Sequence, residues 1–182
     1  MIIQWEGVNY ELDPSAKYPD IAGPGHWNDA DMMLVDVGDD GGRLKVMTAE
    51  EQKAHFSMWC MIASPLIMGN DIRHLSQVAS TILTNREAVA VNQDALGKQG
   101  ILAAEPQPGL QVWLKPLANH KFAIALFNRT EKPSTITCDF KKAGMPLKLK
   151  LRDVWQHQSL GKFNGAFTGT KPPHSVQMLV AE

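Results

Sequence analysis

The sequence predicts an α/β half followed by an all-β half, on two observations. The spacing of apolar residues changes near residue 101, from helical recurrence before it to alternation after it. The composition shifts at the same place, through L-G-K-Q-G-I-L-A-A-E-P-Q-P (96–108), which places a boundary between residues 101 and 102. With 182 residues, 44% of them hydrophobic, the chain is long enough to bury a core for one ordinary domain or two small ones.

In the first half, T-A-E-E (48–51) reads as a capping box. Thr48 accepts from backbone N–H groups and Glu51 reaches back to the cap, which predicts a helix over 49–63. Its later part, F-S-M-W-C-M-I-A (56–63), is apolar almost all the way round and demands cover on several sides. Pro65 then forces the chain out of helix. The run L-I-M-G-N-D (66–71) predicts a short buried parallel strand that delivers Asn70 and Asp71 to its end. Helical stretches follow at 76–83 and, more briefly, from Asn85.

In the second half, 110–117, 121–128, 134–140, 147–155 and 176–181 alternate or are rich in β-formers, and turns of Pro, Gly, Asn and Lys separate them. Strands so spaced predict a small antiparallel β-sandwich of roughly 80 residues, below the usual immunoglobulin-like size. The first half supplies one or two parallel-type strands and two or three helices. A closed barrel of eight such units takes ~250 residues, so 1–101 is expected to be only part of one, with the remainder lying before Met1.

Several function classes lose support. The formal net charge is -1 and no basic run is interleaved with aromatics, which argues against a nucleic-acid partner. The longest mostly apolar stretch, 58–68, is interrupted by Ser64 and Pro65 and falls short of the ~20 residues that span a bilayer, so no membrane partner is expected. The start, M-I-I-Q-W-E-G, has no charged n-region or apolar h-region, and localisation is left open. Cys60 and Cys138 read as buried free thiols. No G-x-S-x-G elbow, Walker loop or G-x-G-x-x-G occurs.

The stretch H-W-N-D-A-D-M-M (26–33) carries the first chemical candidates. If the segment is extended, Asp29 and Asp31 face one side, about 6.5–7 Å apart at the backbone, and their carboxyls could approach the ~5–5.5 Å of a retaining glycosidase pair. Against this, such carboxylates flank the scissile bond from opposite sides. The competing reading makes Asp29 a turn cap and Asn28 a satisfier of backbone groups. Asp36, Asp39 and Asp40 lack the spacing of a calcium loop and read as a solvated glycine turn. Glu51 and His55 share a helix face without an H-E-x-x-H pattern, so no metal site is expected there. Asn128-Arg-Thr130 is formally a glycosylation sequon and is read as a strand-end turn.

Three ordered stretches carry a resemblance: A-G-P-G-H-W-N-D-A-D-M (22–32), M-T-A-E-E-Q-K-A-H-F-S-M-W-C-M-I-A-S-P-L-I-M-G-N-D-I-R (47–73) and V-N-Q-D-A-L-G-K-Q-G (91–100). Residues 21–100 closely resemble melibiase-type alpha-galactosidases of glycoside hydrolase family 27. R-D-V-W-Q-H-Q-S-L-G (152–161) and P-P-H-S-V-Q-M-L-V (172–180) more loosely resemble the family's C-terminal antiparallel domain. The resemblance implies that 1–101 is the C-terminal part of a (β/α)8 TIM barrel, about strands seven and eight with their helices. It implies a C-terminal antiparallel β domain over 102–182.

Family members hydrolyse with retention, using an aspartate nucleophile after strand four and an aspartate acid/base after strand six. Both are expected upstream of this chain, so no catalytic residue carries over. Asp20, in K-Y-P-D (17–20), matches the segment just before A-G-P-G and is a decoy. By motif position, Asp31 and Met32 match residues that line the galactose pocket, and Trp27, Asn28 and Asp29 match the supporting turn. Ala30 stands where many relatives have proline and His26 where some have glycine, which leaves the loop less constrained.

The implied partner is an alpha-galactoside carbohydrate, with no cofactor and no metal. Alternatives are a non-catalytic carbohydrate-binding or interaction module, a split glycosidase whose missing barrel half is a separate chain, and an alpha-N-acetylgalactosaminide substrate.

Overall fold

The computed structural model describes residues 5–37 and 46–182. The first half is helical: α1 (Trp5–Ala16), α2 (Ala49–Ile62), α3 (Gln77–Leu83) and α4 (Arg86–Asn92). The second is antiparallel: β1 (Ile101–Gln107), β2 (Leu110–Leu117), β3 (Lys121–Asn128), β4 (Ser134–Asp139), β5 (Lys148–Asp153), β6 (Gln158–Asn164), β7 (Ala166–Lys171) and β8 (Ser175–Ala181). Six strands form one sheet in the order β1-β2-β3-β8-β5-β6, and β4 and β7 pair as a second.

Helix α2 starts as its sequence dictates. Thr48 accepts from the Glu51 N–H, and Glu51 Oε2 accepts from the Thr48 N–H at 2.7 Å. It ends at Ala63, whose left-handed φ of 55° precedes Pro65. Ser76 caps α3 and Asn85 caps α4, each through a side-chain oxygen. Helix α1 lies outside the expected elements. Its buried residues Trp5, Val8 and Leu12 make one stripe, interrupted toward the end by Pro14.

The inner strands β2, β3 and β8 of the six-stranded sheet are buried on both faces, and the period of two decides which residue meets which layer. Trp113, Ala123, Ala125, Phe127, Val176 and Met178 join the helices in one apolar cluster. Val112, Leu114, Ile124, Leu126 and Leu179 instead pack with Ile136, Cys138 and Phe167 of the β4–β7 layer. A sheet covered on both sides tolerates near-continuous apolar strands, which is why β2 and β3 read as they do.

Among the polar links that tie the halves together, three are hydrogen bonds to α2. Lys115 of β2, only 1% exposed, donates through Nζ to the Cys60 carbonyl at the C-terminal end of α2, at 2.9 Å. Burial lowers its ammonium to about 8, against the pull of Cys60 and Asp94. Trp155 Nε1 donates to Ser57 Oγ of α2 at 2.9 Å. His174, in the β7–β8 turn, meets Glu51 Oε1 through Nδ1 at 2.7 Å and stacks on Trp5.

One expected element is corrected. Residues 66–71 form no strand ladder; their backbone pairing is a single parallel bridge, Met33 to Met68. Nor is the segment buried, since Ile67 is 60% and Met68 44% exposed. Apolar composition marks a segment that needs cover, but burial requires neighbours on both sides, and here one side alone is occupied. Asn70, expected at a strand end, has a side chain whose Nδ2 and Oδ1 lack partners among the described residues. Asp71 caps the 3-10 turn Ile72–His74 and pairs with Arg73.

Candidate functional site

The stretch 22–33 is held from both ends and the middle. Gly23 and His26 exchange backbone hydrogen bonds at 2.7 and 3.0 Å, closing a turn in which Gly25 takes a φ of 88° that glycine alone adopts readily. Asn28 Nδ2 donates to the Ser15 carbonyl, the Tyr18 carbonyl and Gln99 Oε1, at 3.2, 2.9 and 2.9 Å. Asn28 is thus a structural rivet between this loop, the end of α1 and the segment before β1. Trp27 is 42% exposed, and its ring abuts Gly97, where any side chain would collide with Pro24.

Asp29 turns inward to its own loop: its Oδ1 accepts from the Asp31 N–H at 2.9 Å. Ala30 is buried, and its N–H donates to Ser64 Oγ at 3.0 Å. Asp31 has a left-handed φ of 67°, a conformation that Asp tolerates better than most residues. Two bonds fix it: its carbonyl accepts from Trp59 Nε1 at 2.8 Å, and its Oδ1 accepts from the Met32 N–H at 2.7 Å. Oδ2 has no bond among the described residues, and the side chain is exposed.

Met32 settles over Gly69, where an added Cβ would lie 2.4 Å from Met32 Sδ. Met33 then donates to the Ile67 carbonyl at 2.7 Å, locking the two segments together.

The left-handed turn at Asp31 removes the premise of a carboxylate pair. Residues i and i+2 share a side only in extended backbone, and this backbone is not extended. Each carboxylate gives Oδ1 to a backbone N–H of the loop; what sets Asp31 apart is its left-handed backbone, held by Asp29 at its N–H and by Trp59 at its carbonyl. Behind them His55 is buried with neither ring nitrogen bonded among the described residues, its ring centroid 4.1 Å from that of Trp59. Burial lowers its pKa to about 3, so it stays neutral.

The remaining candidates disperse. Glu51 is used twice, by the cap of α2 and by His174. Burial raises its pKa, but hydrogen bonds from Thr48 and His174 outweigh that and hold it below the usual carboxylate value. It therefore makes no pair with His55. Asp36 Oδ2 accepts from the Ser76 N–H at 2.6 Å and bridges to the start of α3, while Asp39 and Asp40 lie outside the described residues. Asp20 sits exposed in the 3-10 turn Pro19–Ile21. Cys60 and Cys138 are free and buried. Among the described residues no cluster of His, Cys, Asp and Glu is placed to hold a metal, and no helix is long and apolar enough to cross a membrane.

The sequon is closed by its own fold. Asn128 is fully buried, and its Nδ2 donates to the carbonyls of Lys132, Lys171 and Pro172 at 2.8, 3.1 and 2.8 Å. The nitrogen that a glycan would need is committed to the β3–β4 and β7–β8 turns.

Residues 2–94 match the family described as "Alpha galactosidase A", and residues 107–181 match the alpha galactosidase C-terminal beta sandwich domain. The chain is 36% identical to an alpha-galactosidase of Oryza sativa subsp. japonica over 97% of its own length and 40% of that protein's. Its structure superposes on alpha-galactosidase I from Mortierella vinacea with a TM-score of 0.85 at 28% identity, covering 96% of this chain and 44% of that one. It also superposes on a family 27 β-L-arabinopyranosidase from Geobacillus stearothermophilus with a TM-score of 0.89 at 26% identity, covering 100% of this chain and 43% of that one. The chain therefore spans about two-fifths of the length of these relatives.

Proposed function

Because the chain belongs to the melibiase family of alpha-galactosidases, we propose that it supplies one wall of the galactose pocket of a retaining alpha-galactosidase, together with that enzyme's C-terminal domain. The observation that carries this reading is Asp31, whose backbone is tethered at both sides while one carboxylate oxygen stays open. On this reading, residues 1–101 are part of the barrel and 102–182 the C-terminal β domain. The single parallel bridge between Met33 and Met68 is then what this chain holds of the pairing of strands seven and eight.

The chemistry assigned to these residues is recognition. A pre-fixed carboxylate oxygen accepts hydrogen bonds from sugar hydroxyls, each worth about 1.5–3 kcal/mol when charged. Met32, held in place by Gly69, offers a thioether to the apolar face of the ring. Trp27, Asn28 and Asp29 hold the turn. The double displacement itself needs two carboxylates on opposite sides of the glycosidic bond, and Asp29 and Asp31, two residues apart on one loop, do not meet that need. The reacting pair is assigned to other strands.

Terminal alpha-linked galactose is the substrate this reading favours, after the names of the relatives. Titration of the nitrogen-15-labelled chain with galactose should shift the amide signals of Asp31 and Met32, and Asp31→Asn should weaken binding by roughly tenfold. Shifts confined to other loops, or unchanged affinity in Asp31→Asn, would remove Asp31 from the pocket.

A further inference from the structure

A second groove lies on the opposite side of α2 from the Asp31 loop. Helix residues advance 100° each, so His55 and Trp59, which back that loop, lie about 200° from Lys53 and Ser57. Lys53 and Ser57 face the β domain instead, and the space between α2, α3, the ends of β5 and β7 and the start of β8 is a cleft of about 520 Å³. That volume falls in the range of small-molecule sites, ~300–1,000 Å³.

Its lining is chemically mixed. Trp155 is fixed there by its bond to Ser57 and by Asp153, whose Oδ1 accepts its backbone N–H at 2.9 Å. On the far wall a chain of side-chain bonds runs from the Lys171 ammonium to Gln177 Oε1 and from Gln177 Nε2 to Asp153 Oδ2 at 2.8 Å. On the near wall the Lys53 ammonium pairs with Glu50 at 2.8 Å and stands 5.9 Å from the centre of the Trp155 ring. Two ammoniums and two carboxylates cancel, so a charged ligand would meet a like charge whichever its sign. Donors, acceptors and an indole together suit a ligand with many hydroxyls and an apolar ring face.

We propose that the groove between α2, α3 and the β domain is a separate binding site for a neutral saccharide, with Trp155 as its apolar wall and Lys53, Glu50 and Lys171 as its polar contacts. It is distinct from the Asp31 pocket, and only the choice of an alpha-galactoside as probe rests on the proposed function.

The test is a titration of the 182-residue chain with melibiose, following the indole Nε1 signal of Trp155 by nuclear magnetic resonance. A saturable shift in the millimolar range is expected. Val78, 47% exposed on α3 at the groove, gives a blocking variant: Val78→Trp should weaken binding at Trp155 roughly tenfold, as should Lys171→Gln, while Asp31→Asn leaves it within about twofold. No shift up to about 50 mM overturns the groove site. A shift abolished by Asp31→Asn but not by Val78→Trp overturns it too, and leaves the Asp31 pocket standing. Shifts at Trp155 with none at Asp31 and Met32 would instead retire the pocket and keep the groove.

Discussion

Asn128→Ala should cost roughly 3 kcal/mol or more, because one side chain satisfies three carbonyls in two turns and also accepts from Thr130. Each buried group left unpaired costs about 1–3 kcal/mol, and at this chain length a loss of about 3 kcal/mol lowers the melting temperature by roughly 6–12 °C. Thermal denaturation followed by circular dichroism checks this. A shift below about 2 °C would mean that solvent replaces the Asn128 bonds, and that the residue is not the anchor of the β3–β4 turn.

His55 should make the fold acid-sensitive in a window set by its own ring. Buried, and with no bond among the described residues, the folded-state imidazole resists protonation down to about 3, whereas in the unfolded chain it takes up a proton near the ordinary value of ~6.5. The unfolded state therefore binds more protons between those values, and stability falls as pH drops through them. At pH 5 the loss is about 2 kcal/mol, as 1.36 kcal/mol accompanies each pH unit. Glu51, with its lowered pKa, adds a further loss only at lower pH, below its unfolded value of ~4.3. His55→Phe should remove the first window, leave the second, and raise stability at neutral pH, since no polar group then stays unpaired against Trp59. Urea titrations of both proteins at pH 7 and pH 5 measure the difference. Equal acid loss in the two would exclude His55 as its source.

The parts of the fold legible in the sequence were those written in local chemistry. The capping box at Thr48 and Glu51 placed the start of α2, and the helical stretches read at 76–83 and from Asn85 are α3 and α4, which Ser76 and Asn85 cap. The apolar runs of β2 and β3 were plain because both faces of that sheet are covered. Strand β6, Q-S-L-G-K-F-N, escaped because it is an edge strand with little buried surface, and β1 escaped because it is exposed along its whole length. Helix α1 escaped because its stripe is only three residues, Trp5, Val8 and Leu12, and Pro14 interrupts its end. The 66–71 segment was misread because apolarity was taken for burial.

The site divides in the same way. Motif position pointed to the loop, but its mechanics rest on partners far along the chain: Trp59, 28 residues from Asp31, and Gln99, 71 residues from Asn28. The left-handed backbone of Asp31 had no local signal either, since the residues around it are compatible with an extended strand.

The assignment of Asp31 to recognition rather than reaction is tested most directly with an aryl alpha-galactoside. The 182-residue chain should release no phenol above the buffer background if, as proposed, the nucleophile and the acid/base lie on strands other than this loop. Turnover by the purified chain that disappears in Asp31→Asn would contradict the account and place the reacting carboxylate on this loop.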